Sequence, residues 1–331
     1  VFMIGEQRSG SNLLRLMLNN SEKVAATHPP HVLLRMTDLI PSYGPLEIDH
    51  NFKLLIDDVC KLIETNPVPW FKKKMDRELI FTNASKRSLI GVFQVVMDCY
   101  AKENNATTWI CKSMQNVRWL AELESHFLSP KYIYLYRDPR DVTLSFQKAV
   151  VGHKHPYCII DKWTELQRLC LDAREKIPSD RFFSLKYERL IESPEECLIE
   201  LSNFLEIDYD DEMLNFYNSV EAKNTAKVSM LWANVKSPLM KSNAQKYLNL
   251  MDQQDRRLVE SVASDVMKAL GYACEFSKDE LLKFDQDTID GFSMEDERLQ
   301  IESKKLINKN DLKRRKLQLA VIENIKLRNS K

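Results

Sequence analysis

Short, mostly apolar runs, each followed by a segment with helical periodicity, are the most regular feature of this chain. The runs are rich in branched and aromatic side chains and occupy residues 1–4, 24–27, 107–111, 132–136 and 182–187. Apolar runs of this length indicate strands that are buried on both faces, as in a parallel sheet. Because helical patterns lie between them, the sequence predicts an α/β fold with a central, mostly parallel sheet flanked by helices.

The end of the chain has a different character. The α/β domain is predicted to span residues 1–275, and residues 276–331 are predicted to form a charged, helical C-terminal extension in which Lys and Arg come to outnumber Asp and Glu. Its leucines and isoleucines are spaced loosely as on a helix. We expect this helix to pack on its own domain or on another chain, and the second arrangement would make a homo-oligomer. A dimer arm and a disordered tail are the alternatives.

The overall composition is that of a globular protein. Hydrophobic residues make up 44% of the 331 positions and the formal net charge is zero, so no overall field favours nucleic acid as a partner. No apolar run approaches the roughly 18 residues of a membrane span. The seven cysteines contain no C-x-x-C pair, which predicts no metal site and suits the cytoplasm. The first residue is not Met, so the possibility that a targeting segment has been removed stays open.

The first strand leads into a loop with the spacing of a phosphate-binding loop. In the stretch GEQRSGSNLL, Gly5 and Gly10 bracket four residues, as in the G-x-x-x-x-G-K-[ST] pattern. Ser11 and Asn12 occupy the positions of the usual Lys and hydroxyl residue, and the cation lies inside the loop as Arg8. Backbone N–H groups at the start of the following helix are expected to bind an anion. The groups that serve a terminal phosphate and Mg²⁺ are missing, which argues against nucleoside triphosphate hydrolysis.

A second strand-to-helix corner also carries a cation. Arg137 follows residues 132–136, and Asp138-Pro139 is a strong helix start, with Asp as N-cap and Pro at the first helical position. Ligands of α/β proteins bind at the carboxyl ends of the strands. A single site is therefore expected to collect the residues near the predicted strand ends, which are Arg8, His28, Lys112, Arg137 and Tyr187.

The stretches GEQRSGSNLL and YIYLYRDPRDVTLSF together strongly resemble the two nucleotide-binding motifs of the sulfotransferase family, and the later stretches FSLKYERL and SNAQKY resemble further family segments. Family members transfer a sulfuryl group from 3′-phosphoadenosine 5′-phosphosulfate (PAPS) and release 3′,5′-bisphosphoadenosine (PAP), and we expect no metal to be needed. The resemblance implies that the 5′-phosphosulfate is held by Arg8, Ser9, Gly10, Ser11 and Asn12. It likewise implies that the 3′-phosphate and adenine are held by Arg137, Ser145, Tyr187 and Lys246.

The catalytic groups follow from the same resemblance. Arg8 would stabilise the leaving phosphate, and Lys112, in a stretch similar to the family's Lys-Thr-His segment, would touch the sulfuryl oxygens. Met114 replaces the histidine of that segment, which is the general base in many members. The proposed substitutes are His31 and, second, His28, because other family branches take a base from this region. With a pKa near 6.5, either could act at neutral pH, unless both simply pack a turn.

The sequence thus predicts a PAPS-dependent sulfotransferase that acts on a hydroxyl or amine of a small-molecule or glycan acceptor. The loop 152–156 follows the helix of the second corner, where family members often place acceptor-contacting segments, and a plain surface loop is the alternative. A P-loop kinase or NTPase is one alternative, which the displaced cation opposes. A catalytically silent PAPS-binding or scaffold protein is another; Lys112 weighs against it and Met114 weighs for it.

Overall fold

A five-stranded, all-parallel sheet forms the centre of the protein. The computed structural model describes residues 1–29, 31–228 and 234–328. The strands are β1 (Phe2–Gly5), β2 (Val24–Thr27), β3 (Thr108–Cys111), β4 (Tyr132–Tyr136) and β5 (Phe182–Lys186), in the spatial order β2-β3-β1-β4-β5. This confirms the predicted parallel sheet, and each strand begins and ends within a residue of its predicted run.

Helices cover both faces of the sheet. They are α1 (Ser11–Asn19), α2 (Val32–Met36), α3 (Asp49–Glu64), α4 (Arg77–Asn83), α5 (Leu89–Glu103), α6 (Leu120–His126), α7 (Pro139–Lys148), α8 (Pro156–Lys176), α9 (Tyr187–Glu192), α10 (Pro194–Leu205), α11 (Val220–Val228), α12 (Tyr247–Leu250), α13 (Gln253–Ala269), α14 (Gln286–Lys305) and α15 (Lys309–Arg328). None of the helices traced in the described ranges is both long enough and apolar enough to cross a membrane.

The side chains of the central strand explain its apolar sequence. Phe2 and Ile4 of β1 point into the larger core on one face, and Met3 points into a second core on the other face. All three are fully buried, as expected for a strand with neighbours on both sides and helices above and below. β1 pairs with β3 on one side and β4 on the other, so its carboxyl end lies in the middle of the sheet edge.

The start of α7 shows how the second corner is built. Asp138 accepts a hydrogen bond from the backbone N–H of Arg140 at 2.9 Å, and Pro139 takes the first helical position, as predicted. The stretch SPEE, residues 193–196, has the pattern of a capping box at the start of α10 and predicts one, but this prediction is wrong, because the Ser193 side chain makes no capping hydrogen bond. The N-terminal turn of α10 therefore relies on Pro194 and two acidic residues instead.

The C-terminal extension packs against the α/β domain as two helices, α14 and α15. α15 lies along α3, where Ile325 joins the large core and the Gln318 side-chain amide donates to the Leu62 carbonyl at 2.9 Å. α14 is held by Asp296, whose carboxylate accepts a hydrogen bond from the His155 N–H at 2.8 Å in the 152–156 loop. Packing on its own domain was one of the predicted arrangements, and the boundary at residue 275 stays a prediction.

Candidate active site

The loop after β1 supplies unpaired hydrogen-bond donors. Arg8 and Gly10 both have positive φ, 68° and 90°, so the chain curls tightly before α1 begins at Ser11. The backbone N–H groups of residues 8–13 have no protein acceptor within the described ranges. Successive donors of this kind, at the N-terminus of a nine-residue helix, form a concave anion-binding surface.

Gly10 is required by a close neighbour as well as by its backbone angle. A Cβ atom at this position would lie 2.3 Å from Cδ2 of Tyr187, which is far inside van der Waals contact. The Tyr187 ring is buried and its hydroxyl accepts a hydrogen bond from the Asn243 side chain at 2.8 Å. The aromatic residue after β5 therefore closes one side of the loop after β1.

Arg8 and Arg137 meet at the same side of the loop. The Arg8 Nε donates to Ser145 Oγ at 2.9 Å, and Arg137 donates to the Arg8 carbonyl at 3.2 Å. The Arg137 guanidinium lies over the Tyr187 ring, with its carbon 4.5 Å from the ring centre, and pairs with Asp141 at 3.2 Å. Burial, and then the charge of Arg137, lowers the pKa of Arg8. Two cations are thus held near each other, and the buried carboxylate of Asp141 pairs with Arg137.

Lys112 approaches the loop from β3. Its ammonium group donates to the Asn12 side-chain oxygen at 2.9 Å, and only 9% of the residue is exposed. Burial lowers the pKa of Lys112 well below its usual value, and the charges of Arg15 and Arg8 lower it further. A bound anion would offset this repulsion and restore the charged form, so the position favours a ligand with several negative charges.

These residues line one cleft of about 440 Å³. The structure brings together almost the whole predicted set, since the cleft is lined by Arg8, Gly10, Ser11, Asn12, His28, His31, Lys112, Arg137, Ser145, Tyr187 and Lys246. Ser9 is the exception: it is fully buried, its hydroxyl has no hydrogen-bond partner in the described structure, and it lies outside the lining. Its hydroxyl is therefore not positioned as a ligand in this conformation, because the turn points the side chain into the protein.

His28 and His31 lie at the boundary of this cleft with a second cavity. Burial lowers the pKa of His31 to about 3, with Arg35 and Lys112 adding to the effect, and burial lowers the pKa of His28 well below 6.5. The ordinary pKa expected from the sequence is therefore wrong for both. Each imidazole is neutral at physiological pH and can accept a proton, but is a weaker base than free histidine.

The second cavity has a volume of about 680 Å³ and shares Gln7, Arg8, His28, Pro29 and His31 with the cleft. Gly152 and His153 of the 152–156 loop lie in its wall. Sequence reasoning missed its other charged residues, which are Glu6, Arg35, Arg118, Lys162, Glu165 and Arg315. They lie on four helical segments and the loop after β1 and share no motif. Only Glu6, inside the phosphate-loop pattern, could have been noticed.

Glu6 and Glu165 differ in their electrostatic state. Burial raises the pKa of Glu6 to about 8, so this carboxyl group is largely protonated at neutral pH. Glu165 has its pKa lowered to about 2, chiefly by a hydrogen bond from Arg118 at 2.7 Å. Lys162 also pairs with Glu165, at 3.1 Å. Arg118 and Lys162 therefore carry two positive charges against the single negative charge of Glu165, so this group of side chains keeps one net positive charge.

One group of side chains in the described ranges has the spacing of metal ligands. The ligating atoms of His153, Cys158 and Asp296 lie within 4.8 Å of one another. The Asp296 carboxylate already accepts hydrogen bonds from the Lys154 and His155 N–H groups and from Gln300. These hydrogen bonds attach α14 to the 152–156 loop, and this attachment explains the arrangement of the three side chains.

Comparisons with known proteins agree on one family. Residues 1–211 match the family model described as "Sulfotransferase family". The chain is 23% identical over 296 residues to a Caenorhabditis briggsae protein named "Putative protein-tyrosine sulfotransferase", covering 87% of this chain and 94% of the relative. It is 22% identical over 225 residues to "Protein-tyrosine sulfotransferase A" of Caenorhabditis elegans, covering 65% of this chain and 52% of the relative.

Two solved structures share the fold. The sulfotransferase domain from the Synechococcus PCC 7002 olefin synthase aligns with a TM-score of 0.52 at 22% identity, covering 79% of this chain and 93% of that domain. The sulfotransferase domain from the curacin biosynthetic pathway aligns with a TM-score of 0.53 at 20% identity, covering 82% and 97%. At this identity, the likeness is one of fold.

Proposed function

Because this chain belongs to the sulfotransferase family, we propose that it transfers a sulfuryl group from PAPS to a hydroxyl or amine acceptor. The observation that carries the proposal is the convergence of Arg8, Lys112 and Arg137, from three different strand ends, on the loop with unpaired N–H donors. A donor with phosphates on both its 5′ and 3′ sides carries several negative charges that these clustered cations can bind.

The reaction can be written with the chain's own residues. An acceptor lone pair attacks the sulfur, the new S–O or S–N bond forms, and the bond from sulfur to the bridging oxygen of the 5′-phosphate breaks. The bridging oxygen keeps the electron pair, and Arg8 with the loop N–H groups stabilises that charge. Lys112 is the group that would contact the sulfuryl oxygens. PAP and the sulfated acceptor are the products.

The proton of the acceptor must leave during this step. Met114 lines the cleft but cannot accept a proton, which leaves the neutral imidazoles of His28 and His31 as the bases that we propose. Both line the cleft and the second cavity, so they lie where a donor and an acceptor would meet. The preference for His31 over His28 stays a prediction.

We expect the double substitution His28→Asn/His31→Asn to lower kcat by about 10²-fold with little change in PAP affinity, the usual effect of losing a general base. The wild-type rate should stay level across the neutral range and fall only well below pH 6.5, because a lowered pKa keeps imidazole neutral until the solution is acidic. Steady-state rates against pH measure both effects.

The exposed His50 provides a matched control, since His50→Asn should leave kcat and the pH profile unchanged. A double variant that turns over at the wild-type rate would exclude both histidines as bases. An inflection of the wild-type rate near pH 6.5 would contradict the lowered pKa values.

The donor is tested by calorimetric titration with nucleotides. PAP is expected to bind the full chain at least 100-fold more tightly than ATP with Mg²⁺, because Arg137, Ser145 and Lys246 are the residues that we propose for binding a 3′-phosphate, which ATP lacks. Equal affinity for the two nucleotides would favour the kinase or NTPase alternative. The protein is also incubated with PAPS and a cell extract, and mass spectrometry is used to find any component that gains a sulfuryl group. PAP binding without such a component would favour the silent scaffold.

The acceptor of the reaction and the cellular compartment of the protein are inferred in less detail than the donor. The two nematode relatives are named for protein tyrosine, so a phenol hydroxyl belongs in the acceptor panel beside alcohols, amines and glycans. The cysteines at all seven positions are free, which supports the prediction of a reducing compartment such as the cytoplasm.

A further inference from the structure

The C-terminal helix α15 forms part of the wall of the second cavity, through Arg315 and Gln318. This part of the chain lies beyond the residues that match the family model, which end at 211. Gln318 is buried and fixed by its bonds to Leu62 and Asn66, so the face of α15 that carries Arg315 is anchored against α3. An element outside the matched region therefore helps to shape the space next to the proposed donor site.

The Arg315 guanidinium is only partly paired. Its Nε donates to Asp311 at 2.9 Å on the same helix, while its Nη2 is buried and has no hydrogen-bond partner in the described structure. About a quarter of the side chain, 26%, is exposed. A buried guanidinium donor without an acceptor costs free energy, and an anion bound at this cavity wall would offset that cost.

Arg35 faces the same cavity from the last turn of α2. Across the described ranges, its side chain forms no hydrogen bond and no ion pair. Burial, and then the charge of Arg315, lowers the pKa of Arg35, which shows that the two guanidinium groups repel each other. Arg118 and Lys162 share the carboxylate of Glu165, and the Nε of Arg315 pairs with Asp311. In the described structure, Arg35 is thus a cation of the cavity without a protein carboxylate, and the Nη2 of Arg315 is a donor without a protein acceptor.

We propose that Arg35 and Arg315 together bind an anionic group of the acceptor, a carboxylate, sulfate or phosphate, while the acceptor's nucleophile lies at the His28 and His31 end of the cavity. This rests on the proposed function and narrows it to an acceptor class: small molecules that already carry a negative charge. A volume of about 680 Å³ suits a small ligand, and a planar guanidinium pair matches the forked geometry of such anions.

The test is calorimetric titration of the PAP-loaded full chain with matched pairs of hydroxylated compounds. Each pair contains a carboxylate and its methyl ester, or a sulfate or phosphate monoester and the parent alcohol, for example 4-hydroxybenzoate and methyl 4-hydroxybenzoate. We expect the anionic member to bind at least 10-fold more tightly. Arg315→Gln should remove the preference, whereas Lys316→Gln, which removes an exposed charge from the next position of the same helix, should keep it.

Arg35→Gln separates binding from stability. It removes one of two mutually repelling cations, so this variant should melt at or above the wild-type temperature in the absence of ligand while losing the anion preference. A merely structural role for Arg35 would lower the melting temperature instead.

Three outcomes overturn the proposal: neutral members that bind as well as anionic ones, an unchanged preference in Arg315→Gln, or no anionic member that binds. All three outcomes are measured on protein that has first been shown to bind PAP. Failure of the wild-type chain to bind PAP would refute the proposed function, and it is detected before any acceptor is added.

Discussion

Lys112→Met is expected to lower kcat by about 10²–10³-fold, with less than a threefold change in PAP affinity. Methionine keeps the length and packing of the side chain but cannot donate a hydrogen bond or carry charge. Lys112 would contact sulfuryl oxygens, which PAP lacks, so its loss should appear in the transfer step; removal of one preorganised donor of this kind has that effect in other enzymes.

Single-turnover kinetics with PAPS and calorimetric titration with PAP separate the two quantities. Lys72→Met, at an exposed position, is the control for the loss of one lysine. Since Lys112 is buried near Arg8 and Arg15, its removal should not lower the melting temperature of the free protein. A wild-type transfer rate in Lys112→Met would remove this residue from the mechanism.

Arg137→Ala is expected to weaken PAP binding by about 100-fold, or roughly 2–3 kcal/mol, through the loss of charge-assisted hydrogen bonds to the 3′-phosphate. Adenosine 5′-phosphate lacks this group, so its affinity should fall much less. Calorimetric titration of wild type and variant with both nucleotides gives the change in preference, and Arg168→Ala, an exposed ion-pair partner on α8, is the matched control.

Arg137 also donates to the Arg8 carbonyl, so a supporting role for the loop must be distinguished. If Arg137→Ala weakens PAP and adenosine 5′-phosphate equally, the residue shapes the loop and does not read the 3′-phosphate. Arg137→Lys should recover part of the PAP preference, because the ammonium keeps the charge but not the forked geometry.

The strands and the convergence of cations at one edge of the sheet could be predicted from the sequence because their signals are local. Continuous apolar runs such as residues 1–4 indicate strands buried on both faces wherever they occur. The loop spacing from Gly5 to Gly10 and the Arg137-Asp138-Pro139 corner each place a cation directly after a strand. In a parallel sheet those strand ends share one edge, so convergence of Arg8 and Arg137 follows once the strands are known.

The direction of the Ser9 side chain and the pKa values of His28 and His31 could not be predicted from the local sequence. Residue type alone indicates that a serine can donate and that imidazole has a pKa near 6.5. The turn around Arg8 buries the Ser9 hydroxyl away from the cleft, and desolvation lowers the pKa of His28 and His31. Side-chain direction and desolvation depend on neighbours that are distant in sequence, so the spacing of residues along the chain does not predict either of them.

The sequence by itself determined the parallel sheet, the family resemblance and the cations that converge on the candidate cleft, because each depends on a few consecutive positions. Only the tertiary structure decided that α15 returns to the second cavity and that Arg315 faces Arg35 there. These residues are 280 positions apart, and the helix that carries Arg315 could have packed on another chain. Ile325 is buried in the large core, and the Gln318 side chain donates a hydrogen bond to the Leu62 carbonyl. Both contacts favour the intramolecular arrangement, because they bury an apolar side chain of α15 and pair a polar one within its own domain.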